Sequence, residues 1–434
     1  MNAVARKPIH WAELAAAAAT LFMFAEAFLP RWLAPGATDV TGEIPESTLL
    51  RYLWLPFYAI VALGLLMSGR NAWRAILCAP WLILLALMAM LSASWSLDPD
   101  LSFRRGVAVL ATTLLGVYLA ARFDWITALR LLAGVWLALM AMSFIVGLIV
   151  PSFGRMQEVH PGAWSGGWWE KNQLGGHAAR SAFLFAFLAW RDTAFRKTWI
   201  AATLLSLALI VFSTSATALI GVMLGFAVLI AAWWMLKGRR WSLMLVWGGT
   251  AFIGAAVLIY IAAPGLLLGL VGRDATLTGR TDIWAELISA ISERPALGYG
   301  YLAFWAPDSE QRYWLAKSVD WNAPSGHNGW LDLAISLGFV GVIIYLIDFV
   351  GSAWRAVKLS LTSPTGVYAL GFLAQFMLFA MSESIILAQN SILWAMYAFV
   401  SCKLAMETRR ISESSAASPI WNPSAHRNKA QTPT

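Results

Sequence analysis

An all-α integral membrane protein, with about twelve transmembrane helices and one large outward loop carrying amphipathic helix, is the fold this sequence predicts. Three observations predict it. Of 434 residues, 59% are hydrophobic and only 12% charged, too apolar for a soluble domain of this length. Apolar runs of spanning length recur along most of the chain. Basic residues gather at every second connection between those runs.

The runs cover residues 11–29, 50–67, 76–94, 105–121, 129–150, 173–190, 198–214, 216–236, 242–263, 331–350, 367–381 and 390–406. Each must be helical, because lipid offers no partner for free backbone groups. The first run lacks a small-x-small cleavage site and is read as a span, not a signal peptide. The organisation is then nine spans in 1–263, an outward loop over 264–328 and three spans in 329–406. Residues 407–434 form a tail, Ser/Ala/Pro-rich from about Ile411 and expected to be disordered.

Arg6 and Lys7 precede the first span, and Arg70 with Arg74, Arg122 with Arg130, and Arg191 with Lys197 follow alternate spans. The series continues through Lys237, Arg240, Arg355, Lys358, Lys403 and Arg409. Those connections are expected to be cytoplasmic, with both termini inside. The net charge of +8 is thus a topology signal and implies no nucleic-acid partner. Arg104 and Arg105 break the rule at the outward start of the fourth span. They either snorkel to the interface or attract an anion there. Cys78 and Cys402 fall near cytoplasmic ends and are expected as free thiols. No Cys/His metal spacing, phosphate loop or dinucleotide fingerprint occurs, so no metal and no cofactor is expected.

Polar residues concentrate at outward ends. Ser325-Gly326-His327-Asn328-Gly329-Trp330 opens the tenth span, whose Gly338 and Gly341 would let a neighbouring helix approach. His327 is either a helix cap or a functional group. The sixth span starts with Lys171 and Asn172 and carries Arg180 well inside it, where a guanidinium needs a cavity, an acid or an anion. Ser213 to Thr217 reads as a hydroxyl-rich turn that satisfies helix ends. In the long loop, Ile283, Trp284, Leu287, Ile288 and Ile291 share one helical face, and Asp282, Glu286 and Glu293 the other. Arg280 stands at that helix's start, either as a diphosphate clamp or in a surface pair with Asp282 or Glu286. Eight tryptophans (164, 168, 169, 284, 305, 314, 321 and 330) crowd the outward side, as an interface belt or as platforms for sugar rings. Glu383, in the last outward loop, would pair with an arginine or orient His327.

The order of these features resembles the O-antigen ligase and polymerase superfamily of bacterial envelope glycosyltransferases, nearest its exopolysaccharide-polymerase branch. The resemblance covers roughly residues 160 to 400. It rests on Trp169-Glu170-Lys171-Asn172-Gln173-Leu174-Gly175, Gly279-Arg280-Thr281-Asp282-Ile283-Trp284, Arg294-Pro295 with Gly298-Tyr299-Gly300, and His327-Asn328-Gly329-Trp330 followed by Gly338-Phe339-Val340-Gly341. Glu383 and Asn390 also fit that branch.

The resemblance implies a glycosyltransferase C-like bundle in a bacterial inner membrane, with its active site periplasmic. It implies metal-independent glycosyl transfer from an undecaprenyl-diphosphate-linked glycan, and the expected reaction is inverting transfer of the oligosaccharide to an acceptor glycan within the bilayer. His327, Arg280 and Glu383 would be catalytic. Arg180, Lys171, Asn172, Asn328, Asp282 and Trp330 would bind substrate. A chain-length regulator and a flippase are possible partner proteins. Two rival readings are an O-antigen ligase acting on lipid A core and a transporter of an anionic solute. No inverted repeat favours the transporter.

Overall fold

The computed structural model describes residues 10–33, 48–158, 160–235 and 280–417. The expected span at 242–263, the loop residues 264–279, the basic connection at 237–240 and the tail beyond 417 lie outside the described residues, as do Arg6 and Lys7. Sixteen α-helices and no strand occur among the described residues. They are α1 (Trp11–Met23), α2 (Leu29–Leu33), α3 (Thr48–Ser68), α4 (Arg70–Cys78), α5 (Pro80–Leu91), α6 (Pro99–Arg122), α7 (Trp125–Ile149) and α8 (Pro151–Gly154). They continue as α9 (Lys171–Arg191), α10 (Arg196–Ser213), α11 (Ala216–Met235), α12 (Arg280–Glu293), α13 (Glu310–Val319), α14 (Gly329–Ser360), α15 (Pro364–Ala380) and α16 (Ile392–Ala417).

Six of these helices are long and apolar enough to cross a membrane, seven if the pair α4–α5 is counted. The expected run at 76–94 takes in the end of α4 and all of α5, and the pair bends by 88° at Ala79–Pro80, where proline supplies no N–H to continue the first helix. Helices α1 and α15 are apolar but shorter. The chain is an all-α, multi-pass membrane protein. The tail expectation needs correction: α16 continues as helix to Ala417, past Ile411.

The bundle has two chemically distinct ends. Helix α6, 24 residues long, spans about 36 Å at the helical rise per residue. At its N-terminus Ser102 Oγ donates to Tyr301 O at 2.9 Å. At its C-terminus Arg122 grips Glu13 of α1 at 2.6 and 2.7 Å. Other contacts keep the same sorting. Arg130 binds Asp192, and Arg74 binds Glu413, at the basic end. Ser215 binds Asn172, and Ser384 binds Ser325, at the other. The predicted alternation of connections therefore matches which loops meet in space.

Gly338 serves a loop, not a neighbouring helix. It breaks α14 with φ 63°, ψ −170°. Segment 295–300 fills the break: Phe339 N donates to Pro295 O at 2.7 Å, and Tyr299 N to Ile335 O at 2.9 Å. Backbone of one element satisfies backbone of the other, which irregular chain inside a membrane protein requires. A Cβ at Gly338 or Gly298 would collide with that backbone. The expected amphipathic helix is present as α12. It buries Ile283, Leu287 and Ile291 against Tyr299, Phe304 and Trp305.

Candidate functional site

The site lies at the end away from the basic connections, where α9, α12, α14 and the 381–391 loop meet. Glu383, four-fifths buried, stands between Arg280 and His327. Its Oε1 is 3.7 Å from Arg280 Nη2, and its Oε2 is 3.9 Å from His327 Nδ1. Arg280 Nη1 also donates to Ser382 O at 2.9 Å. The sequence left open whether Arg280 pairs with Asp282 or Glu286; it turns instead toward the 382–383 backbone and side chain.

The loop before α14 holds His327 by a local network. Asn328 caps α14, accepting from Trp330 N at 3.0 Å and Leu331 N at 3.3 Å. Asp332, in the first turn, accepts from Gly326 N at 3.0 Å and Trp305 Nε1 at 2.9 Å, and also from Ser384 Oγ. A side chain at Gly326 would press on Leu287 and Asp332. His327 is left with φ 46°, a left-handed conformation that costs energy for a residue with a Cβ. Trp321 stacks on its ring at 5.6 Å and 11°. Nδ1 faces Glu383, while Nε2 is buried without a hydrogen-bond partner among the described residues.

Burial alone lowers the His327 imidazole. The Glu383 carboxylate raises it, and the net direction is upward from the ordinary histidine value. Glu170, at the start of α9, is pushed up by burial and by the like charge of Glu383, so a second carboxyl faces the same centre.

Arg180 is 3% exposed, one and a half turns into α9 beyond Gly175. Nη1 donates to Gly176 O at 2.9 Å, and the guanidinium lies 4.0 Å over the Phe379 ring. Its Nε and Nη2 are buried without partners among the described residues. Among the described residues no acid closes on it, and of the alternatives weighed from sequence the cavity is the one observed there.

A cavity of about 910 Å³ opens beside these groups, and Arg280, which reaches Glu383 and Ser382, is not among its lining residues. Arg180, His327, Glu383, Glu170, Asn172 and Arg312 line it. Lys171 is not a lining residue; its Nζ stands 3.5 Å from Thr214 Oγ1. Three expected substrate contacts stand elsewhere. Asn328 spends its amide oxygen on the α14 cap, Asp282 is exposed beside Thr281, and Trp330 packs edge-on against Tyr345 at 5.2 Å. None of the three lines the cavity. The tryptophans divide likewise. Trp164 stacks on Phe212 and Trp168 on His177, both buried, while Trp168, Trp169 and Trp305 line the cavity. Four of the eight, Trp164, Trp168, Trp169 and Trp305, are therefore buried inside the protein, while Trp314 is exposed. Cys78 and Cys402 are free thiols.

Sequence reasoning passed over three lining residues. Glu170 had a signal: an acid one residue before a helix, in the N-cap position. Asp332 had a weaker one, an acid four residues beyond His327+1 in an apolar run. Arg312, on the loop helix α13, had none, because nothing in its neighbours separates it from a solvated cation.

Fold and site define a class: a helical membrane protein with a cationic, histidine-bearing cavity at one end of its bundle. Comparison with known proteins agrees. A family model described as O-antigen ligase matches residues 201–346, which include Arg280 and His327. The chain is 26% identical over 423 residues to the exopolysaccharide production protein ExoQ of Rhizobium meliloti (strain 1021), covering 89% of this chain and 92% of that one. Together these support the O-antigen ligase superfamily, on its exopolysaccharide side, and a role in polysaccharide-related glycosyl transfer.

Proposed function

We propose that this protein polymerises polyprenyl-diphosphate-linked oligosaccharide units at the periplasmic face of the inner membrane. The observation that carries the reading is Glu383, which lines a cavity with His327 and Arg180 and is shared by His327 and by Arg280, itself not a lining residue. Both termini would be cytoplasmic, which agrees with the site standing opposite the basic connections. A chain-length regulator and a flippase fit as neighbouring proteins.

The acceptor hydroxyl oxygen attacks the anomeric carbon from the face opposite the diphosphate. A C–O bond forms there as the bond to the diphosphate oxygen breaks, inverting the centre. The hydroxyl proton goes to His327 Nε2, the nitrogen left open. Glu383 holds Nδ1 and balances the charge the ring gains. Arg180 and Arg280 take the growing negative charge on the departing polyprenyl diphosphate. The two open nitrogens of Arg180 suit this task, since a buried guanidinium left without an anion is costly.

The test substitutes Arg280 with alanine and with lysine and measures polymer length in membranes. Alanine is expected to lower turnover by about 10²–10³, as loss of one preorganised charge donor does. Lysine keeps the charge without the fork and is expected to recover part of it. Full-length polymer at normal rate from both variants removes the clamp.

The matched family's description favours one second reading, transfer of finished polymer to lipid A core. Glycans of a deletion strain separate the two. Short unpolymerised units mean polymerase; accumulated lipid-linked polymer means ligase.

A further inference from the structure

Trp168, Trp169 and Trp305 share the cavity wall, but they differ in what their indole N–H does. Trp168 Nε1 donates to Ala25 O at 2.8 Å, and Trp305 Nε1 to Asp332 at 2.9 Å. Trp169 Nε1 is buried without a partner among the described residues, in a side chain only 4% exposed. Its backbone is fixed, because Gln173 Oε1 accepts from Trp169 N at 3.2 Å in the capping box that starts α9. A buried donor left unbonded costs about 1–3 kcal/mol, so one held this firmly marks a place for a bound group.

An acceptor in the same state stands nearby. Gln389, on the 381–391 loop, lines the cavity, and its Oε1 is buried without a partner among the described residues. The loop is pinned on both sides of it. Tyr301 Oη donates to Leu387 O at 2.5 Å, and Asn390 N to Thr112 Oγ1 at 2.8 Å. Residues 24–28, after α1, bring the two places together. Phe28 N donates to Gly167 O at 2.8 Å and Trp168 Nε1 to Ala25 O, while Ile392 N donates to Phe24 O at 2.5 Å. The chain just before Trp169 and the chain just after Gln389 are thus bonded to the same short turn.

We propose that Trp169 and Gln389 form a sugar subsite, which reads the donor glycan close to its diphosphate. The inference rests on the polyprenyl-diphosphate reading above and names the residues that recognise the sugar. One neutral donor and one neutral acceptor complement hydroxyl groups, each of which gives and takes a hydrogen bond. An amide oxygen repels phosphate oxygens, so the pair does not suit a diphosphate or a phospholipid headgroup. The indole adds a flat apolar face for the C–H side of a sugar ring. The donor is the glycan assigned because Trp169 leads directly into α9, the helix of Arg180. The Arg180 guanidinium turns back to Gly176 O, and from Gly176 to Trp169 is about 10 Å of helical rise. A diphosphate held at Arg180 therefore places its first sugars toward Trp169.

Two lipids that differ only in their glycan test this. Purified protein in nanodiscs of zwitterionic lipid is titrated with bare undecaprenyl diphosphate and with the lipid-linked glycan isolated from cells lacking this protein, and binding is read by native mass spectrometry. The unaltered chain is expected to bind the glycan-bearing lipid more tightly than the bare one. Trp169→Phe keeps an aromatic face and drops the N–H; Gln389→Met keeps the length and drops the oxygen. Each is expected to weaken the glycan-bearing lipid about tenfold, about 1.4 kcal/mol, and to leave the bare lipid unchanged. Trp169→Ala, which also removes the face, is expected to lose more. A variant that weakens both lipids alike acts on the fold or the diphosphate and overturns that residue's place in the subsite. A variant that changes neither leaves its polar atom to water and overturns it equally. An unaltered chain that binds both lipids alike overturns the subsite and leaves the diphosphate reading standing. An unaltered chain that binds neither overturns that reading as well.

Discussion

At the end of the bundle that carries the basic connections, arginines close tightly on carboxylates. Arg122 Nε stands 2.6 Å from Glu13, and Arg130 holds both oxygens of Asp192 at 2.9 and 2.8 Å. At the opposite end the same residue types stand further apart: Arg280 is 3.7 Å and His327 3.9 Å from a shared Glu383, and two nitrogens of Arg180 face no partner among the described residues. Arg122 and Arg180 are alike in exposure, 5% and 3%, whereas the Arg130 side chain is 46% exposed. Between Arg122 and Arg180 the difference is therefore not depth but completion. Closed pairs satisfy their own charge and fasten helices. Open ones keep unspent hydrogen bonds for a ligand.

That contrast can be broken from either side. The largest expected effect is at the open end. His327→Ala is expected to lower turnover by about 10²–10⁴, the usual loss for a general base, with thermal unfolding of the purified protein nearly unchanged. A correctly inserted variant with normal turnover would end the base assignment. Next is the closed end. Arg122→Leu leaves Glu13 buried without its cation, and removing one partner of a buried pair costs about 3–5 kcal/mol. The melting temperature in detergent is expected to fall accordingly, while the folded fraction keeps its turnover. The reverse pattern, stable but inactive, would place Arg122 in the machinery and erase the distinction.

Much of this division was legible in the sequence. Which connections meet at which end follows from counting lysine and arginine around apolar runs, because that bias is local and additive. Arg280, His327 and Glu383 were legible as chemistry, His327 and Glu383 as polar residues at span boundaries and Arg280 as a cation at the start of an amphipathic helix. Their meeting was not. It depends on Asp332 pinning Gly326, a local bond, and also holding Trp305, and on Pro295–Gly300 filling the break at Gly338, the last two being contacts between residues far apart in the chain. Asn328 and Trp330 illustrate the converse. Their positions beside His327 suggested substrate contact, yet a helix start needs its cap and a large indole needs a core, and those local demands took both side chains. The bend between α4 and α5 was hidden because hydropathy does not register a proline break.

The smallest expected effect sharpens the comparison most, because it asks what the loose contact at Glu383 does. In Glu383→Gln the carboxylate that raises His327 is gone, while burial and the Arg280 charge remain, and both of these lower it. The imidazole then titrates at lower pH, so the acid limb of the rate profile is expected to move to lower pH. The plateau is expected to fall modestly, since Nδ1 is no longer held. Stability follows the same linkage. The raised histidine is stabilised by Glu383 fully below its unfolded value, about 6.5, and loses that contribution as pH rises through the folded value. The melting temperature of the unaltered protein should therefore exceed that of Glu383→Gln at mildly acid pH and converge with it at higher pH. An acid limb that stays in place, or moves upward, would mean that Glu383 serves Arg280 alone, as the closed carboxylates at the far end serve theirs.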